Sequence, residues 1–234
     1  SDAVVAQTPT EQAFYIQRGV PPERILVAGP GVNPEEVLGG DGTRFRARHG
    51  VQGILVVSIS NLSYDKGTFH LVEAIRRLRR QGCEVSLALA GACLQSFRRY
   101  WERLPLEARQ GIYVLGPISD EEKRDLLDAC DIFAMPSRTD SFGIVYLEAW
   151  LYRKPVIGAR TWGVTDVIQH GEDGLLVPFG DVGALAEAIA MLASQPEMRE
   201  VMGRRGEQKA RAWHTWERKY PIIRDLYLHL VGKR

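Results

Sequence analysis

Two carboxylates, Asp140 and Glu148, stand in the segment Pro136-Ser137-Arg138-Thr139-Asp140-Ser141-Phe142-Gly143-Ile144-Val145-Tyr146-Leu147-Glu148-Ala149. It follows the apolar run Ile132 to Met135 and opens a helical pattern over 143–152. A helix start in that setting presents free backbone N–H groups and the positive end of the helix dipole, which suits a phosphate. Gly143 allows the backbone close approach to a ligand. Asp140 in the loop and Glu148 beyond the first turn could address different hydroxyls of one ligand. The plainer alternative is a capped helix start with one surface glutamate. A second loop, Ser58-Ile59-Ser60-Asn61-Leu62-Ser63-Tyr64-Asp65-Lys66-Gly67, also runs from strand to helix. A lysine beside a helix N-terminus opposes the dipole, so Lys66 makes most sense where lysine and helix share an anionic ligand. The plainer alternative is a solvated loop lysine.

The elements that must hold these loops read clearly. Apolar runs at Ile54 to Ile59, Val85 to Ala90, Ile112 to Leu115, Ile132 to Met135, Val156-Ile157 and Leu175 to Val177 lack a clean period-two alternation, as expected of strands buried on both faces of a parallel sheet. Helical patterns lie between them at 67–81, 119–130, 143–152 and 181–193, with Ser119 and Glu122 as a capping box and Asp181 as an N-cap. This alternation predicts a doubly wound, Rossmann-like α/β domain, in which ligands bind outside the carboxyl ends of the strands. Ahead of it, Thr8 and Glu11 form another capping box with Pro9 at the first helical position, a short strand Ile25-Leu26-Val27 follows, and Gly29-Pro30-Gly31 reads as a hinge. At the other end one long helix is predicted, kinked at Pro221, with Trp213, Trp216, Tyr220, Ile223, Tyr227 and Leu230 on one face.

Composition removes several function classes. The 234 residues carry 30 Lys+Arg against 29 Asp+Glu, a net charge of +1, which gives no bulk attraction for nucleic acid. Cys83, Cys93 and Cys130 are odd in number and lack CxxC spacing, so neither a disulfide framework nor a zinc site is expected and a reducing compartment is the default. No apolar run approaches the roughly 18 residues of a membrane span. The five histidines show no ligand spacing, and only His170, in the loop before Gly171, is kept as a remote site candidate. Arg76, Arg77, Arg79 and Arg80 could meet anionic lipid but read more simply as a solvated helix face, as do Arg98, Arg99 and Arg103. The opening at Ser1 on the apolar stretch Ala3 to Ala6 suggests a fragment that starts mid-protein.

Taken together, the two loops resemble the carboxy-terminal, donor-binding half of a family-4 retaining glycosyltransferase of the GT-B fold. That family has a Gly-Arg-Leu loop ending in Lys-Gly, and a Glu-x7-Glu motif around Phe-Gly. Here they stand as Ser60-Asn61-Leu62 ending in Lys66-Gly67, and as Asp140-x7-Glu148 with Phe142 and Gly143 in place. Lys154-Pro155-Val156-Ile157, Gly163-Val164-Thr165-Asp166 and Gly171-Glu172-Asp173-Gly174-Leu175-Leu176-Val177 resemble its later motifs, and Gly31-Val32-Asn33 its hinge.

The resemblance implies a metal-independent, cofactor-free transfer of a sugar from a nucleotide-diphospho-sugar. Lys66 would bind the diphosphate, alongside Asn61 where the family has an arginine. Ser141, Phe142, Gly143 and Ile144 would line the phosphate and sugar, Asp140 would meet the sugar and stabilise its developing charge, Glu148 the ribose, and backbone near Ile118 the base. It also implies a division into residues 1–35, a remnant of an acceptor domain with its hinge; 36–210, the nucleotide-sugar domain; and 211–234, a helix crossing back toward that acceptor domain. The aromatic strip on that helix is then expected to be exposed. The acceptor, a sugar or a lipid-linked sugar, would be held by the absent domain, and the fragment alone would be inactive. A cytoplasmic location follows, with peripheral membrane contact of the full-length protein as one option. Two other readings stay open: a degenerate, non-catalytic nucleotide- or carbohydrate-binding module, favoured by Asn61, and a sugar-nucleotide epimerase of the same architecture.

Overall fold

The structure, a computed structural model, describes residues 2–232. Its strands are β1 (Val4–Ala6), β2 (Ile25–Val27), β3 (Ile54–Ile59), β4 (Val85–Ala90), β5 (Ile112–Gly116), β6 (Ile132–Met135), β7 (Val156–Ala159) and β8 (Gly174–Val177). Its helices are α1 (Pro9–Gln17), α2 (Pro34–Val37), α3 (Gly42–His49), α4 (Thr68–Arg80), α5 (Gln95–Arg103), α6 (Asp120–Ala129), α7 (Ile144–Leu151), α8 (Val164–Val167), α9 (Val182–Ser194), α10 (Pro196–Trp213) and α11 (Trp216–Gly232). Strands β3 to β8 form one parallel sheet in the order β5-β4-β3-β6-β7-β8. The chain therefore winds outward from β3 in one direction, then returns to start again at β6. That doubly wound, Rossmann-like order places a topological switch point between the carboxyl ends of β3 and β6.

The predicted continuous burial is what the sheet shows. Leu55 and Val57 face one core, with α3, α6 and α7, while Val56 faces the other, with α4, α5 and α9. Ser119 accepts from the Glu122 amide at 3.2 Å, the Glu122 carboxylate takes the Ser119 amide at 3.1 Å, and Asp181 caps α9 through Ala184 N–H at 2.9 Å. At α1 the box is displaced by one residue. Thr8 accepts from the Glu11 amide as expected, but the Glu11 carboxylate accepts from the Gln7 amide at 2.6 Å.

Helix α10 packs on α7 through small residues. A methyl group added at Gly203 would collide with the Arg153 carbonyl oxygen, and one at Gly206 with the buried ring of Trp150. Gly203→Ala is expected to cost about 1–3 kcal/mol by overpacking. A lowered urea midpoint at unchanged slope would show it, and an unchanged midpoint would mean the helices are free to part.

The C-terminal segment differs from the single kinked helix expected. It breaks at His214–Thr215, not at Pro221, which lies inside α11. The cause is tertiary: Val32 donates to the His214 carbonyl at 2.8 Å and accepts from the Trp216 amide at 3.1 Å, so the backbone leaves the helix to pair with the hinge. Helix α10 thus carries three residues past the expected boundary at 210. The apolar strip is exposed as expected at Trp213, Trp216, Tyr220 and Tyr227, with Ile223 and Leu230 half-buried, and α11 buries no residue. The accessible surface, 11985 Å², exceeds by more than 1,000 Å² the roughly 10,600 Å² of a compact chain of this mass.

The first thirty residues make a small unit of their own. Strands β1 and β2 pair in parallel and α1 connects them. The unit leans on the large domain: Asp166 accepts from the Thr10 amide at 2.9 Å, and Phe14 meets Trp162 with ring centroids 4.9 Å apart.

Candidate functional site

The switch point opens into a cleft of about 440 Å³, with Ile59 and Met135, the last residues of β3 and β6, at its floor. Asn61, Lys66, Asp140, Ser141, Phe142, Gly143 and Ile144 all line it. The fold brings seven of the nine expected residues into one place. Two loops do this, and they are stitched together. The Arg138 amide donates to the Asp65 carbonyl at 2.7 Å, the Ser137 hydroxyl donates to the same oxygen at 3.2 Å, and the Arg138 guanidinium pairs with the Asp65 carboxylate at 2.7 Å. Gly67, in the left-handed region at φ 72°, is pressed against Pro136, where any side chain would collide with the Pro136 carbonyl.

Within the cleft, Lys66 Nζ lies 2.7 Å from Asp140 Oδ2. No other basic side chain lines this cleft among the described residues. Asn61 is exposed there, and neither Arg138 nor Arg160 lines the cleft in place of the family's loop arginine: Arg138 is held by Asp65, and the Arg160 guanidinium approaches the Leu176 carbonyl at 3.5 Å. Helix α7 begins after Gly143, whose φ of 79° and contact with the Tyr146 ring exclude a side chain, and no side chain caps the helix. Its first amides are therefore open toward the cleft side.

Glu148 stands four residues after Ile144, so the two share a face of α7 about 6 Å apart along the axis. Its Oε1 is bound by Lys123 Nζ of α6 at 2.6 Å, and its Oε2 is buried with no hydrogen-bond partner. A buried carboxylate oxygen left unpaired is costly and calls for a hydrogen-bond partner. Glu148 and Lys123 line a second cavity of about 320 Å³ with Glu36, Asp120 and Arg124. Ile118 is not there. It lines a third cavity, of about 590 Å³, on the other side of the α6 N-terminus with Phe45, His49 and Pro117. Sequence reasoning missed Lys123, which in sequence is one charge on a solvated helix, and Gln7 and Pro30, which enter the cleft from the N-terminal unit. His170 is taken by structure: its Nδ1 accepts from the Leu176 amide at 2.9 Å. Arg76 and Arg79 are likewise engaged, by Glu73 and by the Val85 carbonyl. Among the described residues, no group of three or more His, Cys, Asp or Glu could hold a metal ion.

Behind the cleft, the His214 ring meets Phe142 edge-on at 5.4 Å, and its Nδ1 has no partner. Burial, then Lys219 and Lys209, push its pKa down to about 4. The unfolded chain, with an ordinary histidine near 6.5, takes up the proton first as pH falls. Stability present above pH 6.5 is thus lost progressively toward pH 4. His214→Gln should flatten the fall in urea midpoint between pH 7 and pH 4.5, and an undiminished fall would assign it to other groups.

Comparison with known proteins settles the family. The glycosyl transferases group 1 pattern matches residues 42–209, well over half of the chain. The chain belongs to that family. It is 29% identical over 250 residues to the D-inositol 3-phosphate glycosyltransferase of Pseudarthrobacter chlorophenolicus, covering 98% of this chain and 56% of that protein. It is 31% identical over 201 residues to the GDP-mannose-dependent alpha-(1-6)-phosphatidylinositol monomannoside mannosyltransferase of Mycolicibacterium smegmatis, covering 82% of this chain and 51% of that protein. The crystal structure of Anabaena HepE in complex with UDP superposes with a TM-score of 0.86 at 25% identity, over 99% of this chain and 64% of HepE. This group 1 glycosyltransferase chain thus has the architecture of one half of a GT-B fold and spans little more than half the length of the curated relatives it matches. No helix among its described residues is long and apolar enough to cross a membrane.

Proposed function

We propose that this chain is the donor-binding half of a retaining, metal-independent glycosyltransferase that takes a sugar from a nucleotide-diphospho-sugar and passes it to a sugar or lipid-linked acceptor. One observation carries the reading. The Lys66–Asp140 pair stands at the switch point ahead of the open N-terminus of α7, and the unpaired Glu148 oxygen lies one turn along that helix from Ile144, a succession that suits a nucleoside diphosphate. Lys66 and the α7 amides of Gly143 and Ile144 take the diphosphate and carry the charge of the leaving group. Glu148 takes the ribose hydroxyls, and the base lies toward the α6 N-terminus beyond Lys123, with the Ile118 backbone near it. Asp140 faces the sugar as Lys66 turns to phosphate. No cofactor beyond the donor is needed.

The acceptor sits in the half of the protein outside this chain, which also covers the exposed aromatic face of α11; exposed apolar surface of that kind marks an interface. The full-length protein is cytoplasmic, with any membrane contact peripheral. Asn61, and a cleft with Lys66 as its single cation among the described residues, favour a second reading, a binding module without transfer activity. The Asp140-x7-Glu148 arrangement argues against an epimerase.

Calorimetric titration with UDP, GDP and ADP tests the site. One of them should bind selectively, and Lys66→Ala and Glu148→Ala should each weaken it about tenfold or more, the scale of a lost charge-assisted hydrogen bond. Binding unchanged in both variants would place the nucleotide elsewhere.

A further inference from the structure

We infer that Gln7 is a specificity-determining residue for the transferred sugar. The inference rests on the donor-site reading above. Gln7 precedes the start of the large domain at residue 36 by 29 residues, yet it forms part of the same cleft as Lys66, Asp140 and Gly143. Its backbone is fixed there from two sides. The amide is spent on the Glu11 carboxylate at 2.6 Å, and that carboxylate also accepts from the Tyr15 hydroxyl at 3.2 Å. The carbonyl packs over Gly29: a methyl group at Gly29 would come within 2.9 Å of Gln7 O and would collide with the Phe142 ring. Gly29 therefore lets the N-terminal unit close onto Phe142, the residue before Gly143, and this sets Gln7 against the catalytic loop.

The side chain is left exposed, and its carboxamide makes no hydrogen bond to protein among the described residues. Elsewhere in the cleft the Lys66 ammonium and the first α7 amides suit a diphosphate, the Asp140 carboxylate does not, and Ser60, Asn61 and Ser141 are neutral polar groups on the loops beside them. A neutral carboxamide, with two donors and one acceptor, is poorly matched to phosphate charge and well matched to a hydroxyl that must both give and receive. Sugar hydroxyls are the one part of a nucleotide-diphospho-sugar with that character near Asp140. A group that bonds a particular hydroxyl discriminates strongly against an epimer that moves it.

The test is a titration of this chain, wild type and Gln7→Ala, with UDP, GDP and ADP and with the glucose, galactose and mannose diphosphates of whichever nucleoside binds. Gln7→Ala should leave nucleoside diphosphate affinity within about twofold. It should reduce the affinity for the preferred sugar nucleotide by roughly fivefold to tenfold, one neutral hydrogen bond, and flatten the ranking among the sugars. If the ranking and the sugar's contribution survive the substitution while the nucleoside diphosphate still binds, Gln7 plays no such part and the donor-site reading stands. If no nucleoside diphosphate binds the wild type, both fall together. Parallel thermal melts of the two proteins should coincide, since the side chain is exposed.

Discussion

Asn61→Arg is expected to tighten nucleoside diphosphate binding by ten- to a hundredfold. Asn61 lines the cleft beside Lys66, and Lys66 is the only cation there among the described residues. That lysine is paired with Asp140 at 2.7 Å. A diphosphate entering the site must compete with a carboxylate for one ammonium, and finds only a neutral amide where a guanidinium would make a bidentate contact. Charge-assisted hydrogen bonds contribute roughly 1.5–3 kcal/mol each, and every 1.4 kcal/mol or so is a factor of ten in affinity. Arginine is the suitable replacement because its planar fork matches phosphate, whereas a second lysine would add only a point charge. Calorimetry on the two proteins decides the matter. A gain of that size would mean the site is weakened relative to its family pattern, as the binding-module reading holds. Unchanged affinity would mean that phosphate recognition at this site has been rebuilt without a cation at position 61, around Lys66 and the α7 amides alone.

The large sheet was legible because each of its strands is apolar on both faces, a pattern that only a covered parallel sheet explains. Helix α3 was not. Among its eight residues only Gly42 and Phe45 are buried, and it is held by charge: Arg44 to Asp125 at 2.6 Å, and Arg46 to the Ala129 carbonyl at 2.7 Å and to Asp131 at 2.6 Å. Hydrophobic periodicity cannot register a helix attached that way. Helix α5 escaped for a similar reason, since Phe97 is its one buried residue. Strand β1 is three residues long and exists only by pairing with β2 across α1. The break at His214–Thr215 likewise has no local signal, because the hinge residue Val32 makes it.

The candidate site divides the same way. Lys66, Asp140, Gly143 and Glu148 stood out because each sits in a strand-to-helix loop or the first turns that follow. What joins them is tertiary. That Lys66 meets Asp140 depends on β3 lying beside β6, and that Lys123 meets Glu148 while Ile118 falls in a different cavity depends on how the two faces of α6 are placed in the fold. Gln7 carries no local mark of any kind.

Asp140→Asn separates binding from chemistry. In the full-length protein it should lower sugar transfer by roughly a hundred- to a thousandfold, the usual effect of removing one group aimed at charge that develops in the transition state. On this reading the departing diphosphate leaves positive charge on the sugar, and a carboxylate beside it stabilises that charge where an isosteric amide cannot. The same substitution releases Lys66 from its ion pair, because the amide no longer holds an ammonium by charge. Nucleoside diphosphate binding to this chain should therefore hold or rise by a few-fold while transfer collapses. The opposite signs make the prediction specific. A residue with a merely structural role would lower both, through a disordered loop, and a residue that binds phosphate would lower affinity first. Transfer within tenfold of the wild type would remove Asp140 from the chemistry, and a parallel loss of nucleotide affinity would show that the Lys66–Asp140 pair holds the cleft in shape rather than holding its lysine in reserve.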